Sequence, residues 1–432
     1  MEIKTKKFFY GNFLIGILWL CYFANVGFIL YGSAILAKQM IGERGFSVAL
    51  MGMAVGMCNI FQGISGTFVG IWVRKAGPKI PFSLGCIIIA VGSLMIPSMA
   101  VSETMYVVLY GAVIGLGMSL ASMNVSQVIV DGWFDVRKPM MMGIVLSAGG
   151  LGGFATPLIM NAVVRVWSWQ AGWYIVGCAC IIGAILSIVL IKNRPADINE
   201  VRDGIGYVPK RKPSSKVQVK SSSQVNMPFS RVLRSFPFYG FTLNYMTRAA
   251  CFYTLTGYIV LYYTSSGVSD SMAALALSLF SLASLCGRVF FGWIIGIYID
   301  ARKGLLVSNL ILCAGMIVTG FLGPTSGIFI LLSPIIVGFG HGVGLLSLPL
   351  AISEFFGSKN FPVSNGIINS SSYLVGSYGP VFTGFLAAST GSYSLAFAII
   401  GLMALIGAVL GMVGKAPESD PIITEKVVAE TL

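Results

Sequence analysis

Arg288 stands near the middle of SLFSLASLCGRVFFGWIIGIYID, residues 278–300, an apolar stretch long enough to cross a bilayer. A guanidinium at the centre of a membrane helix costs about 2.5 kcal/mol or more, so it demands a counter-charge or a wet cavity. No carboxylate within its own span supplies the counter-charge. Ser278, Ser281 and Ser284 precede it at helical spacing and extend its polar side into a stripe. Such a stripe faces a pathway more comfortably than lipid. The chemistry available to Arg288 is bidentate recognition of a carboxylate.

Two further polar groups sit deep in apolar spans: Arg248 and His341, the single histidine. Arg248 and Arg288 each lie twelve residues from the expected cytoplasmic end of their spans, about 18 Å at 1.5 Å per residue, and so share a depth. None of the fifteen acids falls in the middle of a span. Two cations with no fixed anion at that depth predict a positive cavity that an anionic substrate neutralises. The alternatives are that helix carbonyls cap Arg288 and that Asn244 and Tyr245 partner Arg248. Tyr22 and Asn25, Asn59 and Gln62, Asn124 and Gln127, and Asn365, Asn369 and Tyr373 are candidates for the opposite wall. Each serves equally well as an interhelical hydrogen bond. Asn365, Asn369 and Ser372 recur at i, i+4 and i+7, which places them on one face. His341, with an ordinary pKa near 6.5, is a candidate carrier of a coupled proton, or a histidine hydrogen-bonded between glycine-rich helices.

These residues need membrane helices to hold them. The chain has 432 residues, 56% hydrophobic and 10% charged, with a mean hydropathy of +0.86, a membrane composition. Apolar runs recur at 13–37, 48–73, 80–101, 105–130, 140–166 and 172–191, then at 238–264, 272–299, 305–322, 328–350, 363–388 and 395–413. That pattern predicts twelve spans in two halves, 1–191 and 237–414, joined by a polar linker, 192–236, and followed by a tail, 415–432. The linker contains PKRKPSSKVQVKSSSQ, a composition that cannot bury a core. The net charge of +13 collects in alternate connections: Lys4, Lys6 and Lys7; Arg74, Lys75 and Lys79; Arg137 and Lys138; the linker; Arg302 and Lys303; Lys359; Lys415 and Lys426. The positive-inside rule therefore puts both termini and the linker in the cytoplasm and makes nucleic acid an unneeded partner. All eight cysteines fall within apolar spans, where they read as small core residues.

The halves resemble each other. GIVLSAGGLGGFATP from Gly143 and GIINSSSYLVGSYGP from Gly366 agree at Gly143 and Gly366, Ile144 and Ile367, Ser147 and Ser370, Leu151 and Leu374, Gly153 and Gly376, and Pro157 and Pro380. The same offset pairs Tyr22 with Tyr245 and Asn25 with Arg248. Parallel six-span repeats predict a rocking transporter with its site at their interface. The glycine-rich run GFGHGVG, residues 338–344, follows no strand and lies within a span, so it is no nucleotide loop.

Trp133, Phe134, Arg137, Lys138, Gly143, Ala148, Gly149 and Gly153, within WFDVRKPMMMGIVLSAGGLGG, form an aromatic pair, a basic pair and spaced small residues. This resembles the signature of the monocarboxylate transporter and oxalate/formate antiporter branches of the major facilitator superfamily. GIWVRKAGPK, with Gly70, Arg74 and Gly77, resembles the superfamily's loop between spans two and three, and KNRPADINEVRDG resembles the segment after span six. The resemblance implies that Arg288, in the GRxxxG stretch, binds the substrate carboxylate. The loop motif usually carries an acid where this chain has Arg74. The monocarboxylate branch places an acid at the position of Ser284 and a lysine near Tyr31 and Gly32. The oxalate exchanger places a lysine where Ser372 aligns.

The expectation is an all-α polytopic membrane protein, a monomer of twelve transmembrane helices in two pseudo-symmetric six-helix halves in the plasma (inner) membrane. It carries a small organic anion, foremost a monocarboxylate, by proton symport or anion exchange. A carrier of neutral or cationic compounds, such as a drug-efflux protein, and a sensor without transport are the alternatives. No metal-ligand cluster, nucleophile triad or cofactor loop is legible, so no metal, no cofactor and no enzyme activity is expected.

Overall fold

The computed structural model describes residues 9–417, apart from 101, 205–226, 296, 325, 326 and 377. The basic run of the linker and the flanking Lys4, Lys6, Lys7 and Lys426 lie outside the described residues. The described chain is overwhelmingly helical, as a bilayer demands: without water to satisfy them, backbone N–H and C=O groups must bond within their own segment.

The first six helices are α1 (Tyr10–Arg44), α2 (Val48–Ala76), α3 (Lys79–Met99), α4 (Glu103–Trp133), α5 (Lys138–Val166) and α6 (Trp169–Leu190). After the linker come α7 (Phe236–Ser265), α8 (Asp270–Ile294), α9 (Ala301–Phe321), α10 (327–356), α11 (358–390) and α12 (Ser394–Met412). Among the described residues, ten helical stretches are long and apolar enough to cross a membrane. One of them, Gly327–Thr390, supplies both α10 and α11. Its backbone leaves the helix at Gly357, with φ 77° and ψ 158°, a conformation that favours glycine. α10 runs parallel to α8, with Gly338 against Phe280 and Gly342 against Ser284, whereas α11 runs antiparallel to α2, with Gly70 against Pro362 and Gly63 against Leu374. α7 falls short on apolarity because it carries Asn244, Tyr245 and Arg248, all buried in protein rather than turned to lipid.

Three departures from regular helix shape the interior. α1 winds through wider, five-residue hydrogen-bonded turns over Phe23–Gly32. α4 breaks at Ala121, and the Ser122 side chain caps the restart by accepting from the Val125 N–H. α8 stops at Ile294, short of the expected 299, and the chain turns before α9 begins after Asp300. The cysteines are free, but two of the eight, Cys178 and Cys286, are exposed on helix faces rather than buried in the core.

Close approach between helices of the two halves runs from one face of the molecule towards its middle. A Cβ on Gly70 would lie 2.6 Å from the Pro362 carbonyl oxygen, and one on Gly143 would lie 2.7 Å from that of Arg288. Higher up, Gly150 meets Leu285 and Gly153 meets Ser281. This is the face that carries residues 9 and 417, because an even number of passes returns the chain to its starting side.

The segment after α6 explains two stretches singled out above. Asp203 accepts from the backbone N–H groups of Asp135, Val136 and Arg137 at 2.9, 2.8 and 3.2 Å, and from Arg137 Nε at 3.3 Å. Trp133 Nε1 donates to the Lys192 carbonyl at 3.1 Å. Phe134 and Phe9 flank the Arg137 guanidinium at 5.2 and 5.1 Å. Residues 133–137 and 192–203 thus form one clamp at the α4–α5 turn.

Candidate functional site

Arg288 projects from α8 into a cavity of about 140 Å³ between the two sets of helices. Its Nη1 donates to the Leu146 carbonyl of α5 at 2.6 Å and its Nη2 to Ser284 Oγ at 2.9 Å. The carbonyl and the serine orient the fork without neutralising it. Ser284, at the position where the resemblance places an acid, accepts a hydrogen bond but carries no charge. Arg288 Nε has no hydrogen-bond partner among the described residues.

Arg248 reaches the same cavity from α7. Its guanidinium lies 4.1 Å from the centroid of the Tyr245 ring, and Nη1 is 3.4 Å from His341 Nδ1 of α10. Its Nε also lacks a hydrogen-bond partner among the described residues. Tyr245 and Arg248 sit three apart and Phe252 four further on, so one face of α7 supplies all three. Phe252 stacks on the His341 ring, centroids 4.5 Å apart and planes 15° apart, which fixes the imidazole in place.

The remaining wall comes from Tyr22 and Tyr31 of α1, Asn59 and Gln62 of α2, Ser122 and Met123 at the break in α4, Gly149 of α5, and Ser372 and Tyr373 of α11. Gly149 keeps the space open: a Cβ there would lie 3.3 Å from the Tyr22 hydroxyl and 3.4 Å from Arg288 Nη1. No aspartate or glutamate lines the cavity among the described residues.

The structure therefore brings together Arg288, Arg248, His341, Tyr22 and Tyr373. It does not bring Asn25, Asn124, Asn365 or Asn369 to this cavity. Asn25 donates to Cys86 Sγ at 3.1 Å inside the first six helices. Asn365 donates to Gln127 Oε1 at 2.8 Å, joining α11 to α4, and Asn369 donates back to the Asn365 carbonyl at 2.8 Å. Asn124 lies at a separate small void beside Gly66 and Gly70. Asn25, Asn365 and Asn369 serve as hydrogen bonds between or along helices, whereas Asn124 Oδ1 has no hydrogen-bond partner among the described residues.

Tyr31 and Tyr253 are cavity residues that sequence reasoning did not select. Tyr22 and Tyr31 are nine residues apart, about half a turn out of phase on a regular helix. The wider turns of Phe23–Gly32 bring both phenols round to one cavity. Tyr253 had a signal: it is five residues beyond Arg248 and adjacent to Phe252.

Of the motif residues Gly149 lines the cavity, and the others named above lie elsewhere. Gly77 takes φ 83° at the end of α2, and Arg74 lies over the Phe229 ring at 5.9 Å. Lys138 is buried; its Nζ donates to Asp131 Oδ1 at 2.6 Å and to Ser353 Oγ of α10 at 3.0 Å. Ser353 Oγ in turn donates to Asp131. This network ties α4 and α5 to α10. Among the described residues no group of three or more His, Cys, Asp or Glu could hold a metal ion.

Comparison with known proteins gives this arrangement its family. The sequence profile of the Major Facilitator Superfamily matches residues 18–298 and 242–428. Monocarboxylate transporter 12 of Mus musculus is 24% identical over 331 residues, 69% of this chain and 64% of its own length. The probable L-galactonate transporter of Escherichia coli (strain K12) is 24% identical over 425 residues, 94% of this chain and 90% of its own. Among solved structures, FucP in the outward conformation superposes with a TM-score of 0.73 at 15% identity, covering 93% of this chain and 99% of FucP. The chain is a multi-pass membrane transporter of the Major Facilitator Superfamily.

Proposed function

We propose that the protein carries a small organic anion, a monocarboxylate, across the plasma membrane by alternating access, with residues 1–191 and 237–414 rocking about the cavity and both termini in the cytoplasm. One observation carries the reading: two guanidiniums, each with a nitrogen left unpartnered, line a cavity free of carboxylates among the described residues. Uncompensated buried charge is costly, and an anion held by both arginines relieves that cost. A cationic or neutral cargo leaves both arginines uncompensated. The names of two relatives, a monocarboxylate transporter and an L-galactonate transporter, both denote carboxylates and support the same class. The closed contacts on the face that carries residues 9 and 417 suit one end state of alternating access.

The test is the melting temperature of purified protein against mono- and dicarboxylates, inorganic anions, sugars and organic cations, with Arg288→Gln in parallel. Monocarboxylates are expected to protect, with affinity falling about tenfold or more in Arg288→Gln. Protection by sugars or cations, retained in Arg288→Gln, sinks the anion reading.

A further inference from the structure

The two sides of the cavity differ in their polar groups. α7 and α8 contribute the cations, with Tyr245 and Tyr253 beside them; α1 and α2 contribute Tyr22, Tyr31, Asn59 and Gln62, neutral groups that both donate and accept, alongside the apolar Val26 and Leu30. Tyr22, Tyr31 and Asn59 make no hydrogen bond within the described protein. Gln62 Nε2 reaches only sulfur, Cys58 Sγ at 3.4 Å and Met118 Sδ at 4.0 Å, both weak acceptors. A carboxylate between Arg248 and Arg288 satisfies the cationic side and leaves this second wall unmet.

Three kinds of substrate remainder can be compared with that wall. An alkyl chain leaves two-way polar groups facing carbon, the situation in which a site built for hydrogen bonds discriminates strongly. A second carboxylate needs another cation, and among the described lining residues Arg248 and Arg288 are the only lysine or arginine side chains. Hydroxyl groups match it, since each donates and accepts as the phenols and amides do.

We infer that the substrate is a polyhydroxylated monocarboxylate, with its carboxylate on Arg288 and Arg248 and its hydroxyls on Tyr31, Asn59 and Gln62. The inference rests on the anion reading above and adds to it the chemistry of the other end. Tyr22 stands at the junction, its hydroxyl sharing with Arg288 the space that Gly149 leaves open.

The experiment compares gluconate, hexanoate and glucose as ligands of the purified full-length protein by thermal protection and competition. Gluconate has both ends, hexanoate the carboxylate alone, glucose the hydroxyls alone. The expected result is gluconate binding at least about tenfold more tightly than hexanoate. That ratio should shrink towards one in Tyr31→Phe/Asn59→Leu, through weaker gluconate binding with hexanoate little changed. Hexanoate binding as tightly as gluconate in the unaltered protein, with both lost in Arg288→Gln, overturns the hydroxyl inference and leaves the anion reading intact. Glucose binding as tightly as gluconate and surviving Arg288→Gln overturns both. Absence of any gluconate protection overturns the inference, and an undiminished ratio in the folded double variant overturns its assignment to Tyr31 and Asn59. The ligand comparison in the unaltered protein remains decisive if the variant fails to fold.

Discussion

The guanidinium of Arg248 lies 4.1 Å from the centre of the Tyr245 ring, one helical turn away on α7. The aromatic face steadies a cation that no carboxylate meets in this cavity, among the described residues. Replacing Tyr245 by Leu should remove the cation–π contact and weaken anion binding roughly 2- to 30-fold. Tyr245→Phe should keep the face and lose little. Equal effects of the two substitutions in a binding titration would assign the role to the hydroxyl instead.

His341 is the one lining residue whose ordinary titration falls near neutral pH, and it stands against Arg248 with its ring stacked on Phe252. If uptake into proteoliposomes is stimulated by acid, His341→Gln should abolish that stimulation while preserving a polar contact to Arg248. A pH profile of His341→Gln that follows the unaltered protein excludes proton carriage by this residue.

Lys138 and Asp131 form a buried ion pair whose third member, Ser353, belongs to α10. Lys138→Met should lower stability by about 3–5 kcal/mol, because it leaves the Asp131 carboxylate buried without its counter-charge. Adding Asp131→Asn should recover much of the loss. A melting temperature for Lys138→Met within error of the parent would show that the carboxylate finds water.

Gly143 allows α5 to lie directly on the Arg288 backbone of α8. Gly143→Val should hold that face apart, cutting uptake to below about a tenth of the parent while substrate still protects the folded protein thermally. Uptake at the parental rate would mean that this approach is not needed in the transport cycle.

Clamping by Asp203 gives a separate expectation far from the cavity. Asp203→Ala removes the acceptor of three backbone N–H groups at 135–137 and should cost about 2 kcal/mol or more in stability. Binding of the anion should survive. A large loss of affinity in a stable Asp203→Ala protein would show that the α4–α5 turn is coupled to the cavity.

Membrane helices and the placement of two arginines at one depth were legible in the sequence, because apolar length and distance from a span's end are counted along the chain. Arg248 and Arg288 do line one cavity. The family signature was legible too, although only Gly149 of it lines the cavity: Trp133 and Arg137 hold the segment after α6, and Lys138 bridges to α10. Polar residues such as Asn25 and Asn365 were ambiguous for a physical reason. A buried amide meets its hydrogen-bonding need equally well in a ligand or in a neighbouring helix, and only the neighbour's position decides.

The sequence by itself determined that the chain is a bundle of membrane helices, that its deep cations outnumber deep acids, and that the two halves share a pattern. These follow from hydropathy and charge, which each segment carries regardless of its surroundings. Only the tertiary structure decided which polar groups share a cavity. Tyr31 joins Tyr22 because the turns of Phe23–Gly32 widen, a departure that the 3.6-residue period cannot express. Asn365 leaves the cavity because Gln127 of α4 lies within 2.8 Å of it. Both outcomes depend on helix winding and on distances between segments far apart in the chain, quantities that spacing along one segment does not contain.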